Sequence, residues 1–291
     1  MNEISVKALA KINLGLDVIR RREDGYHEVR MIMQTIHLFD RLQIKKKREK
    51  EITLRANLPF LPVDEHNLAY RAAAMLQEEF GLEEGIDIEL EKHIPVAAGM
   101  AGGSTDGAAV LYGMNEIFEL GLSKQELMER GVKLGADVPF CIMRGTALAE
   151  GIGEKLTQLP PMVKCPVLIA KPQISVSTRT VYERLQLKDE SAHPDIDRLI
   201  SDIRAKDLEQ IAAHMGNILE TVTIPLHPEI EKIKTCMKEY GAVNAMMSGS
   251  GPTVFGLFAD IKDAKLALGK LKEQGIARQI YVTDIYNNRR K

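Results

Sequence analysis

The stretch from Ile94 to Leu111, IPVAAGMAGGSTDGAAVL, crowds four glycines and several alanines ahead of an apolar run. Upstream, IDIELEKHIP alternates apolar and polar residues, as a strand does. Downstream, Ala108, Leu111, Asn115 and Phe118 recur at helical spacing, and Gly121 closes the run. A glycine-rich segment between a strand and a helix N-terminus lets backbone N–H groups turn toward an anion, and the helix dipole adds positive potential. The same composition also suits a tight, closely packed connection, and these residues alone leave both readings open. No Lys precedes Ser104, and the spacing of Gly99, Gly102, Gly103 and Gly107 is not G-x-G-x-x-G. Neither the P-loop nor the dinucleotide-binding fingerprint applies.

Working outward, MNEISVKALAKINLGLDV has period two. Ile4, Val6, Ala8, Ala10, Ile12, Leu14, Leu16 and Val18 share one face; Lys7, Lys11, Asn13 and Asp17 share the other. Asp24-Gly25 in REDGYH is a hairpin turn signal, followed by a second strand over MIMQTIHLFDRLQI. KKKREK reads as the solvated end of that strand. HNLAYRAAAMLQEEFGL predicts a helix capped by Asn67 and stopped by Gly81. SKQELMERGVKLG predicts another, with Ser123 and Glu126 as a capping box and Gly135 as its stop. Past residue 160 the pattern is CPVLIAKP as a strand and two or three helices to about residue 240. AVNAMMSGSGPTVFGLF then reads as strand, turn and strand, DAKLALGKLKEQG as a helix, and RQIYVTDIY as a closing strand. That order predicts a ferredoxin-like α+β layer in the second of two lobes, joined by a linker near residues 150–165.

The chain has 291 residues, an apolar fraction of 45% and a formal net charge of -2. Its length suits one large domain or two lobes sharing a cleft. The balanced charge argues against nucleic acid as a partner. No apolar run reaches the roughly 20 residues of a membrane helix, and the N-terminus is strand-like rather than signal-like, so the expected location is the cytoplasm. Cys141, Cys165 and Cys236 are scattered and odd in number, which suits neither a disulfide framework nor a zinc site.

Three further features carry two readings each. Asp137, in GADVPF, is either a turn or cap residue or a general base at the mouth of a cleft. Lys11 is either an exposed strand lysine or, beside Asn13, part of a polar cleft. SGSGPT, Ser248 to Thr253, is either a hairpin turn or a ligand loop.

Taken together, AKINLGLDV, PVAAGMAGGSTDGAA and AMMSGSGPTVFGLF, in that order, resemble the three motifs of the galactokinase, homoserine kinase, mevalonate kinase and phosphomevalonate kinase superfamily. The resemblance spans nearly the whole chain. The central motif reads Gly-Gly-Ser-Thr-Asp where the family has a Gly-Ser-Ser-like element. With REDGYHEV and GADVPF, this variant is similar to the branch that phosphorylates a cytidine-diphosphate-linked methylerythritol in non-mevalonate isoprenoid biosynthesis.

The resemblance implies an α+β, two-lobe small-molecule kinase fold. Residues 1–160 would form a ribosomal-S5-domain-2-like lobe for ATP binding and catalysis, and residues 161–291 a ferredoxin-like lobe. It implies phosphoryl transfer from ATP to the 2-hydroxyl of the acceptor. Asp137 would accept the hydroxyl proton, and Lys11 would pair with Asp137 and stabilise the transferring phosphoryl group. Pro95, Val96, Ala97, Ala98, Gly99, Met100, Ala101, Gly102, Gly103, Ser104 and Thr105 would wrap the ATP phosphates, and Asn67 would lie near the adenosine. Ser104 or Thr105 would reach magnesium. Asn13 would bond the acceptor. Tyr26, His27 and Tyr182 would hold the cytosine, and Gly249 and Ser250 would lie near the diphosphate. The state expected is a monomer or weak homodimer with no membrane partner. A kinase of the same superfamily acting on mevalonate, homoserine or a sugar would bind no cytidine. A non-catalytic binding module on this fold would not need Lys11, Asp137 and the glycine loop together.

Overall fold

A computed structural model describes residues 1–187 and 193–288. It divides into two compact units that interleave in sequence. Unit 1 comprises Met1–Ala10, Leu38–Val96 and Ala101–Met143; unit 2 comprises Lys11–His37, Ala97–Met100 and Arg144–Lys291. The expected halves 1–160 and 161–291 are each one continuous run. The interleaving follows from two long strands, β1 (Glu3–Arg21) and β2 (His27–Lys47), each contributing one half to either unit.

In unit 1, β2 and β1 are joined by β3 (Ile52–Ala56) and β4 (Gly85–Glu91) in the order β3-β4-β2-β1. β3 and β4 are parallel, and β4 runs antiparallel to Arg41–Lys47. Four helices accompany the sheet: α1 (Leu68–Glu79), α2 (Gly102–Ile117), α3 (Lys124–Leu134) and α4 (Val138–Met143). The caps read from sequence are present. Asn67 Oδ1 accepts from the Ala69 N–H at 2.9 Å, and Ser123 and Glu126 bond reciprocally. The core consists of Ile86, Ile88 and Leu90 from β4, Leu42 and Ile44 from β2, and the small faces of α1 and α2. A Cβ on Gly113 would meet the Ile44 side chain at 2.4 Å, so this glycine sets how closely α2 lies on the sheet. Lys45, Lys46, Lys47 and Lys50 of the basic run pair with Glu3, Glu84, Glu51 and Glu83.

In unit 2, the other halves of β1 and β2 form a hairpin whose turn puts Gly25 at φ 86°. β5 (Thr146–Gly151) pairs with β2, β6 (Lys155–Gln158) with β5, and the short β8 (Gly216–Asn217) with β1. The segment expected as a linker is thus largely a hairpin, too short for its alternation to stand out. The second sheet contains β7 (Pro166–Lys171), β9 (Ala242–Met247), β10 (Val254–Phe258) and β11 (Gln279–Asp284), all antiparallel, in the order β11-β7-β10-β9. This is the 4-1-3-2 order of a ferredoxin-like layer.

Five helices among the described residues separate β7 from β9, rather than the two or three expected. They are α5 (Thr178–Arg184), α6 (Ile196–Ala205), α7 (Leu208–His214), α8 (Glu220–Leu226) and α9 (Glu229–Glu239). Three are only two turns long, too few periods to count from sequence. The helix before β11 is α10 (Ile261–Gln274). All three cysteines are buried thiols. Among the described residues, no helix is long and apolar enough to cross a membrane.

The polar row of β1 is not the solvent face that its alternation suggests. Lys11, Asn13 and Asp17 are buried. Gly15 lies in the same row, and a Cβ there would meet Ile196 and Leu199 of α6 at 2.8 Å. The helix covers the row at Gly15, and Asp17 pairs with His193 just before α6 at 2.6 Å.

Candidate active site

The glycine-rich loop leaves β4 at Lys92 and opens α2 at Gly102. Ala97, Gly99 and Ala101 adopt left-handed backbone, with φ of 51°, 70° and 56°. Alternating hand along a chain turns successive N–H groups to one side, the nest geometry that receives anions. Two of these three residues carry a Cβ, at a cost of roughly 1–2 kcal/mol each. Strained backbone of this kind clusters at ligand-binding and catalytic loops. Ala101 is the N-cap of α2 and supplies no side-chain cap. The Thr105 N–H is bonded within the helix, to Ala101 O at 2.8 Å, while the N–H groups before it head the helix without a capping side chain.

Close packing constrains two of the glycines, and one of them also turns the backbone. Gly99 has left-handed backbone, and a Cβ there would lie 2.1 Å from Ser248 O. A Cβ on Gly102 would sit 3.2 Å from both Ile94 and the Lys92 ammonium, so its absence serves packing. Of the two hydroxyls expected at magnesium, Thr105 is buried and donates to Leu9 O at 2.8 Å, whereas Ser104 is half-buried. Pro95, Ala98 and Met100 are buried, Val96 is half-buried, and Ala97 and Gly103 are exposed.

Beneath this loop lies an ionic group that the sequence reading missed. Lys92, Asp40 and Asp106 are all buried. The Lys92 ammonium donates to Asp40 Oδ2 and, at 2.6 Å, to Asp106 Oδ2. Asp40 Oδ1 accepts the N–H groups of His93 at 2.5 Å and Ile94 at 2.8 Å. Burial works against the charge on Lys92, but the two carboxylates outweigh it and raise its pKa. Burial and then the charge of Asp40, opposed by Lys92, push the Asp106 carboxyl well above the usual range. The signal was present in the register. Lys92 continues the inward phase of Ile86, Ile88 and Leu90, and Asp40 that of Leu42 and Ile44.

Asp137, also in unit 1, follows the Gly135 stop of α3. Its carbonyl accepts from Cys141 N–H at 3.1 Å, so it opens α4, and its side chain is half-buried. Asn67 is engaged at both ends, with Nδ2 donating to Pro62 O at 2.9 Å. Asp64, Glu65 and His66, just before it, are the one cluster of three possible metal ligands among the described residues, and all are exposed.

In unit 2, the Lys11 ammonium donates to Asn13 Oδ1 at 2.7 Å, and Asn13 Nδ2 reaches Met31 Sδ at 3.3 Å. Lys11 N–H bonds Met100 O at 3.2 Å, which ties β1 to the glycine loop. The SGSGPT turn joins β9 to β10 and also seats on that loop. Ser248 Oγ donates to Gly99 O at 2.9 Å, and a Cβ on Gly249 would meet Gly99 backbone at 3.2 Å. Asn217 Nδ2 holds Gly249 O at 2.8 Å, and Ser250 Oγ bonds Thr178 Oγ1 at 2.8 Å. Tyr26 is exposed, with its N–H on Asp24 Oδ1. The rings of His27 and Tyr182 lie 5.0 Å apart at 42°. Partial burial, then the charge of Arg21, lowers the His27 pKa and favours neutral imidazole.

The chain belongs to the GHMP kinases. The pattern of the GHMP kinases N terminal domain matches residues 67–145, and that of the GHMP kinases C terminal domain matches 199–277. Within that family, the chain is 56% identical over 286 residues to the 4-diphosphocytidyl-2-C-methyl-D-erythritol kinase of Lachnospira eligens, covering 98% of this chain and 99% of the relative. It is 52% identical over 289 residues to the kinase of the same name from Lachnoclostridium phytofermentans, covering 99% of each. A crystal structure of a 4-(cytidine 5'-diphospho)-2C-methyl-D-erythritol kinase matches with a TM-score of 0.83 at 31% identity, covering 98% of this chain and 100% of that one.

Proposed function

We propose that this chain transfers the γ-phosphoryl group of ATP to the 2-hydroxyl of 4-diphosphocytidyl-2-C-methyl-D-erythritol, giving the 2-phosphate and ADP in non-mevalonate isoprenoid biosynthesis. The observation that carries the proposal is near-full-length identity, 56% and 52%, with two kinases of that name. The loop geometry supports it independently: left-handed backbone at Ala97, Gly99 and Ala101 leads into a helix without a side-chain cap.

In this reading the P–O bond to ADP breaks as a P–O bond to the acceptor oxygen forms, and the hydroxyl proton passes to Asp137. The work is positioning and charge stabilisation. Backbone N–H groups from Ala98 to Ser104 hold the β- and γ-phosphates; that of Thr105, expected among them, is spent on Ala101 O. Lys11, oriented by Asn13, supplies positive charge to the transferring phosphoryl group. Because Asn13 is fully buried against Lys11 and Met31, it acts on the acceptor through that lysine. Asn67 has its side chain in a helix cap, so its contribution near adenosine is to fix the start of α1.

The residues fit magnesium through one hydroxyl, that of half-buried Ser104, since Thr105 is buried and turned to Leu9 O. When bound, magnesium neutralises charge on the phosphate oxygens. Tyr26, His27 and Tyr182 bind the cytosine, a role supported by the His27–Tyr182 contact. Gly249 and Ser250 border the diphosphate. We assign ATP binding and catalysis to residues 1–160 and the ferredoxin-like part to 161–291, in a monomer or weak homodimer of the cytoplasm. Buried cysteine thiols without disulfides suit such a reducing compartment.

The test is ADP release with magnesium-ATP and one acceptor per reaction: the cytidyl-diphosphate methylerythritol, mevalonate, homoserine or galactose. Activity with the cytidyl acceptor alone is expected. Activity with another acceptor instead would keep the family and discard the cytidine pocket. No activity with any of them, from folded protein, would overturn the reading.

A further inference from the structure

Lys92, Asp40 and Asp106 have no role in the reaction as proposed, yet their side chains are 4%, 0% and 3% exposed. They are the most deeply buried ion pairs among the described residues of unit 1. Each comes from a different element. Asp40 lies on β2, Lys92 directly follows β4, and Asp106 lies on the second turn of α2. The chain starts the glycine loop beside Asp40, which holds the N–H groups of His93 and Ile94. It finishes the loop beside Asp106, and one ammonium joins the two carboxylates. The Lys92 ammonium also lies against Gly102, where a Cβ would be 3.2 Å away. Any displacement of Lys92 is therefore felt at the first residue of α2. Stability alone gives this trio little reason to be ionic, since apolar side chains of similar volume commonly do as well. What directional bonds add is a fixed register between the two ends of the loop.

We propose that Lys92 and Asp106 are positioning residues for the phosphate donor, holding the first turn of α2 so that its N–H groups meet the phosphates of ATP. The inference rests on the kinase reading. One carboxylate in the trio is in excess over the single ammonium, and Asp106 Oδ1 is buried with no hydrogen-bond partner. Removing Asp106 therefore leaves Lys92 and Asp40 balanced one to one, with no charge stranded. Asp106→Asn keeps an oxygen for the ammonium.

The experiment measures ATP binding to the whole chain by calorimetry, with the Michaelis constants for ATP and for the cytidyl acceptor, in Asp106→Ala and Asp106→Asn. Asp106→Ala is expected to weaken ATP binding and raise its Michaelis constant by about tenfold, with the acceptor constant nearly unchanged, because small misplacements of a positioning group are costly. Asp106→Asn is expected to restore most of the ATP affinity. If the alanine variant does not fold, Asp106→Leu fills the volume and carries the same expectation. Unchanged ATP binding in the folded variant, or an equal loss for ATP and acceptor, would overturn the inference while leaving the kinase reading intact. Failure of the unaltered chain to bind ATP would overturn both.

Discussion

Asp137→Asn preserves the size and the carbonyl oxygen of the side chain and removes its basicity. As the proposed proton acceptor, Asp137 contributes only when the hydroxyl is being deprotonated. Turnover should therefore fall by about two orders of magnitude or more, within the usual range for general bases. ATP affinity measured by calorimetry should stay close to that of the parent. Near-normal turnover would remove Asp137 as the proton acceptor.

His27 offers a prediction with a sign. Its pKa lies below the ordinary 6.5 because of burial and then Arg21, so the ring is neutral at pH 7 and gains a proton only at a lower pH than a free imidazole. Cytidine affinity should be flat above neutral pH and fall only on acidification past the range in which a free imidazole titrates, as the ring charges. His27→Gln should bind less tightly and lose this fall; an identical pH profile in the variant would exclude His27 from the base site. Residue-scale chemistry was partly legible in the sequence. Lys11 and Asn13 share a row of β1, and the structure bonds them. Their burial was not legible, because the partners that enclose β1 come from elsewhere in the chain: Met31 of β2 at Asn13, and α6, about 180 residues further along, at Gly15.

At the scale of elements, the two glycine turns of unit 2 meet backbone to backbone. Gly99 has positive φ, and a Cβ would fall 2.1 Å from Ser248 O, which already accepts from Gly251 N–H. Gly99→Ala thus combines left-handed strain with overpacking and should cost roughly 3 kcal/mol of stability in urea unfolding. Gly103→Ala is the contrast: its φ is helical, and the nearest atom to a Cβ is Leu68 Cδ1 at 3.8 Å, so stability should hold or rise slightly. Equal stability of the two variants would contradict the packing described here.

Elements with strong local signals were readable. α1 and α3 carry their caps in sequence, and the β9–turn–β10 unit carries its glycines. β5, β6 and α4 have six residues or fewer, too few periods for their local pattern to stand out, and tertiary packing forms them. The trio of Lys92, Asp40 and Asp106 was accessible in principle, since two of its members interrupt an inward row of apolar residues. A charged residue at such a position must have a partner, and register alone does not name it.

At the scale of the whole molecule, the functional reading requires two chemically different ligands, a purine triphosphate and a cytidine diphosphate derivative, to bind the same folded chain. A ligand that binds only the native state stabilises it by mass action, about 2.7 kcal/mol at a hundred times its dissociation constant. For a chain of this size that is a rise in Tm of about 4 °C. ATP with magnesium and CDP should each produce such a rise alone. Tyr26→Ala should abolish most of the response to CDP and leave that to ATP, because Tyr26 is exposed and its loss removes a stacking surface rather than core packing. The pairing of ligands and variant separates three cases. A response to both ligands, with only the CDP response lost in Tyr26→Ala, supports the cytidyl acceptor. A response to ATP alone keeps a GHMP kinase with another acceptor. Loss of both responses in Tyr26→Ala would mean that the variant disturbs the fold, and the stacking role of Tyr26 would be withdrawn.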